Sequence, residues 1–68
     1  MPELEKLKHL LEHWIEHSRE HTTRYAEWAE KVRSESPEVS EILKEAVKKF
    51  EEGEKLLKKA MDVLAKLF

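Results

Sequence analysis

Four histidines, His9, His13, His17 and His21, stand four residues apart and are all the histidines in the chain. On an α-helix a step of four overshoots one turn by about 40°, so their rings form a slowly winding ladder. Neighbouring rungs are close enough for two imidazoles to share one metal ion. Glu12, Glu16 and Glu20 interleave with them, so His-x-x-Glu-His occurs three times in the run His9 to His21. That is the zinc-protease-like pattern of inverted zincins. Here it overlaps itself, no third ligand stands where those enzymes need one, and 68 residues cannot build a substrate cleft. The glutamates read as a solvated face, and no enzyme is expected beyond weak hydrolysis at a metal-bound water.

The histidines must be positioned by helices. Pro2 suits a first helical turn, where its missing N–H costs nothing, and Glu3 and Glu5 complement the helix dipole there. Apolar residues then recur at three- and four-residue spacing through Leu4, Leu7, Leu11, Trp14, Tyr25, Trp28 or Ala29, and Val32. Between Trp14 and Tyr25 the stripe would continue through Ser18 and His21, bordered by His17 and Thr22. This polar gap in a buried face lowers stability unless something satisfies it. On this stripe His9 points away from the core, His13 lies to its side, His17 is at its border and His21 is near its centre.

Ser34-Glu35-Ser36-Pro37-Glu38 is the break. Ser36 is a good N-cap, Pro37 takes the first helical position, and Glu38 and Glu41 favour the N-terminal end of a second helix. That helix carries near-continuous heptads: Val39, Leu43, Ala46, Phe50, Gly53, Leu57, Ala60, Leu64, Leu67. The expected fold is all-α: one antiparallel two-helix hairpin filling residues 1–68, with helices at about 2–33 and 37–67 and a turn at about 34–36. Leu10 and Trp28 on the first helix, and Leu56, Val63 and Leu67 on the second, widen the apolar surface beyond what one partner helix covers. Hairpins of this size rarely stand alone. A homo-oligomer is expected, with a dimer forming a four-helix bundle.

With the turn centred near Ser36, His17 faces Glu54, Ser18 faces Gly53 and His21 faces Phe50. Gly53 is the only glycine, set mid-helix at a cost of about 1 kcal/mol relative to alanine, which suggests space for something bulky. The expected site is therefore His17, His21 and Glu54 around a divalent transition metal, with His13 as a further ligand and Gly53 making room. Imidazole and carboxylate ligands suit zinc first, then nickel, cobalt or copper(II). In a two-fold dimer the set doubles into two sites or merges into one. Two alternatives use the same residues. A buried histidine layer without metal would make a self-associating bundle pH-sensitive. A haem-binding bundle would take His21 of each copy as axial ligand and Gly53 as space.

Composition excludes other classes. Charged residues make up 41% and apolar residues 40%, and the net charge of −2 is shared evenly along the chain, so no basic face for nucleic acid is present. No apolar run approaches the ~20 residues that span a bilayer, and no signal peptide is evident. With no cysteine there is no disulfide, thiolate zinc or iron–sulfur site. A cytoplasmic protein is expected, without nucleic-acid or membrane partners.

His13-Trp14-Ile15-Glu16-His17, His21 and Tyr25-Ala26-Glu27-Trp28-Ala29-Glu30-Lys31 together resemble the start of small histidine-bearing helical hairpins of archaea and anaerobic bacteria. The resemblance covers about the first half and implies a metal-binding hairpin. The regular Glu/Lys/Leu second half also resembles de novo designed helical bundles, which implies a thermostable chain of either origin.

Overall fold

The computed structural model describes residues 2–67. Two helices, α1 (Pro2–Val32) and α2 (Pro37–Leu67), lie antiparallel in a rod of 51 × 15 × 12 Å. The turn forms where the sequence places it. Ser36 N donates to Val32 O at 2.8 Å and Glu35 N to Val32 O at 3.1 Å, closing the end of α1. Ser36 Oγ then accepts from Val39 N at 3.2 Å, which caps the first turn of α2 behind Pro37. No described residue takes a positive φ, so this reversal needs no glycine.

The packed seam differs from the expected one. On α1 the buried or part-buried residues are Leu4, Leu7, Lys8, Leu11, Ile15, Ser18, Thr22, Tyr25, Ala29 and Val32. On α2 they are Ser40, Leu43, Lys44, Ala46, Val47, Glu54, Leu57, Met61 and Leu64, with Phe50 in the same register but half-exposed. Leu11, Leu43, Leu57 and Leu64 stand where the heptads put them. Trp14 and His21 do not: Ile15 and Thr22 replace them, and of the two alternatives Trp28 and Ala29 it is Ala29 that faces inward. Likewise Ser40, Glu54 and Met61 replace Val39, Gly53 and Ala60, while Ala46 and Val47 are both part-buried. Each replacement is one residue further along, a rotation of about 100°.

The turn supplies the reason. So short a connection holds the helix ends close together, and Ala29 and Ser40 meet there with no exposed surface. Ser40 Oγ donates to Ala29 O at 2.7 Å, joining the helices directly. Trp28 and Val39 in those places would force the axes apart. Once this first layer is set, the heptad repeat carries the same phase along the whole seam.

Candidate functional site

The rotated seam leaves the hairpin with two unlike sides. Residues just after seam positions, such as Arg19, Glu30 and Lys44, form the polar side. Their ion pairs cross between the helices there: Arg19 Nε to Glu54 Oε1 at 2.7 Å, and Lys44 Nζ to Glu30 Oε1 at 3.5 Å. Residues just before seam positions form the other side. In an antiparallel pair, equal steps back along both chains turn both helices toward the same side. Leu10, Trp14, Trp28, Val39, Ile42, Leu56 and Val63 all precede seam residues, and Leu67 continues the same spacing. These eight, with Phe50, are 45–65% exposed. One flank of the rod is polar, and the other gathers the large exposed apolar residues toward its two ends, with Arg24 and Lys49 near its middle.

All four histidines are exposed in the single chain. His17 and His21 precede the seam residues Ser18 and Thr22, so they belong to the apolar flank. His9 and His13 lie further round, toward solvent. The ladder is visible in the rings: His13 meets His17 edge-on at 4.3 Å, and His17 stacks loosely on His21 at 6.3 Å. His21 in turn lies 6.2 Å from Tyr25, whose ring is 5.5 Å from Phe50 across the seam.

The expected ligand set does not assemble within one chain. Glu54 faces Arg19, not His17, and its side chain is only 11% exposed beneath the guanidinium. The cause is the same rotation: with Glu54 on the seam, its carboxylate is claimed from the polar side while His17 faces the apolar side. Phe50 packs toward Tyr25 rather than meeting His21 directly. Gly53 is exposed, and a Cβ built on it would meet nothing within 4 Å, so no close approach inside the hairpin requires it. Among the described residues, no three His, Asp or Glu side chains come together as a metal-holding group.

The polar gap is nevertheless real, and the backbone satisfies it. Ser18 and Thr22 occupy the seam, and Thr22 Oγ1 donates to Ser18 O at 2.7 Å. No buried side-chain polar atom is left without a partner among the described residues. Arg19 is the functional-looking residue that sequence reasoning passed over. Its signal was there: it follows a seam serine, level with the carboxylate of Glu54 on the facing helix.

Surface depressions are open and lined mainly by charged side chains, as along Glu41, Lys44 and Lys48. Among the described residues no helix is long and apolar enough to cross a membrane.

Comparisons with known proteins give the chain relatives without an activity. The model of a family described as "Domain of unknown function (DUF8180)" matches residues 7–64. A protein of Archaeoglobus fulgidus, named "Uncharacterized protein", is 51% identical over 61 residues, covering 90% of this chain and 98% of that protein. No solved structure matches.

Proposed function

The chain belongs to the DUF8180 family, and from its own geometry we propose that it is a self-associating hairpin whose apolar flank pairs with a second copy to form an antiparallel four-helix bundle. The observation that carries this reading is the placement of the exposed apolar residues. Eight of the nine large ones stand one position before the seam phase, on both helices and on one side. Scattered exposed leucines are ordinary on a surface, but eight large apolar residues on one flank, broken at its middle by His17, His21, Arg24 and Lys49, are not.

Half-exposed side chains of this number and size leave on the order of 800 Å² of apolar surface, about what each partner contributes to a standard interface. The core of a single hairpin is correspondingly thin. Only Leu11, Ile15 and Leu64 are large apolar side chains buried among the described residues. Covering the flank would double the layers of the core and end the exposure of both tryptophans.

Sedimentation equilibrium at micromolar concentration tests the reading. A mass of two chains is expected. A monomer that stays folded at high temperature would overturn it.

A further inference from the structure

We propose that two copies of this chain hold one divalent transition-metal ion on the two-fold axis between them, with His17 and His21 of each copy as its four ligands. The inference rests on the bundle proposed above and adds a ligand to it.

The position of the axis comes first from α2. A two-fold axis lying across both helices, rather than along them, sets each helix against an antiparallel copy of itself. Along the seven-residue line of the α2 flank that runs through Gly53, Val39 and Leu67 are equidistant from it, and so are Ala46 and Ala60, while Ile42, Leu56 and Val63 stand between those levels. On that line like sizes therefore stack on like when the axis passes at Gly53. The small residues Ala46, Gly53 and Ala60, one heptad apart, let the two copies of α2 approach closely. The open space over Gly53 is where the partner's backbone fits.

The second indication comes from α1. The Arg19–Glu54 ion pair sets the level of Gly53 beside that of Arg19. An axis perpendicular to the helices at Gly53 therefore crosses α1 near Arg19. About Arg19, His17 and His21 are equidistant, and so are Leu10 and Trp28. His17 then meets the partner's His21, His21 meets the partner's His17, and each Leu10 meets the partner's Trp28. The symmetry that fits α2 to itself also gathers four imidazoles.

Their chemistry suits a metal. His17 and His21 sit one turn apart on the apolar flank, with ring centroids 6.3 Å apart and planes inclined by 27°. Side-chain rotation brings such a pair onto one ion, and two pairs across a dyad supply four nitrogens for a tetrahedral site with metal–nitrogen distances of about 2.0–2.1 Å. An all-imidazole set takes Zn²⁺, Co²⁺, Ni²⁺ or Cu²⁺. Glu54 is not needed, which agrees with its pairing to Arg19. With every position filled by protein, the ion would tie the copies together and leave no place for a reacting water.

The test is titration of the purified chain with zinc chloride, and with Co²⁺ as a spectroscopic probe. One zinc per two chains is expected, with the visible absorption of tetrahedral Co²⁺ at the same endpoint. His17→Ala and His21→Ala should each weaken binding by more than the roughly 10–100-fold cost of losing an outer-shell partner. His9→Ala and His13→Ala should leave it unchanged. All four positions are exposed in the single chain, and circular dichroism verifies that the variants keep their helices. One zinc per chain, or affinity that survives His17→Ala or His21→Ala, would overturn the shared site. Sedimentation without metal separates the two ideas. A dimer that takes up no zinc loses the site and keeps the bundle, whereas a chain that is monomeric with and without zinc loses both.

Discussion

Gly53 shows how much a single residue can report on a partner. Inside one chain a methyl group there would touch nothing, so Gly53→Ala should gain helix propensity of up to about 1 kcal/mol. In the bundle the same methyl group meets the partner's α2 at its closest point. The expected result is weaker self-association, read as a rise in the dimer dissociation constant. A melting temperature that rises equally at every protein concentration would show that nothing crosses Gly53. Because the chain has no cysteine, Gly53→Cys offers a cleaner probe. On the axis its Cα atoms fall within disulfide range, about 4.4–6.8 Å, and mild oxidation should produce a covalent dimer on a non-reducing gel. Ser40 reports on the hairpin itself. Ser40→Ala removes the hydrogen bond to Ala29 O and should cost about 1 kcal/mol, while Ser40→Val overfills the tightest layer and should cost about 1–3 kcal/mol by denaturant unfolding.

At the scale of the helices, the turn sets the phase. Ser36 caps α2 by accepting from Val39 N, and Ser36→Ala should destabilise the chain by about 1 kcal/mol, measurable as a lower urea midpoint with unchanged slope. The cap starts α2 so that Ser40 meets Ala29, and every later seam residue follows from that meeting. Arg19 and Glu54 then lock the middle of the hairpin from its polar side. Arg19 is more than half exposed, so the pair has more value for register than for stability. The histidine ladder belongs to the other side of α1, and this is why no carboxylate of α2 joins it within one chain.

The whole molecule is a rod with one charged flank and one that carries the large exposed apolar residues. Replacing Leu56 and Val63 together by Glu puts charge on the apolar flank, where pairing would strip its water. The double variant should sediment as a monomer at concentrations where the parent is a dimer, and should lose helix content on dilution. Matching changes on the polar flank, such as Lys48→Glu, should leave the mass unchanged. For the parent, a bundle in which folding and association are linked has a melting temperature that climbs with protein concentration. A flat dependence across a hundred-fold range would contradict that linkage.

The sequence alone determined the two helices, the turn and the excess of apolar surface. These follow from local chemistry: Pro37 behind a serine cap, heptad spacing, and the absence of any other break between Pro2 and Leu67. It also singled out His17 and His21 as the pair nearest the apolar side. It could not determine which apolar stripe faces inward, because two stripes lie one residue apart on each helix and a periodicity averages them into one. Trp14, His21 and Gly53 thus read as core from the sequence, and Trp28 and Ala29 stand as alternatives. Only the folded hairpin chose between the stripes, since the short turn admits Ala29 against Ser40 and has no room there for Trp28 and Val39. From that one contact came the pairing of Glu54 with Arg19, the exposure of the histidines, and the gathering of the remaining apolar residues on a single face.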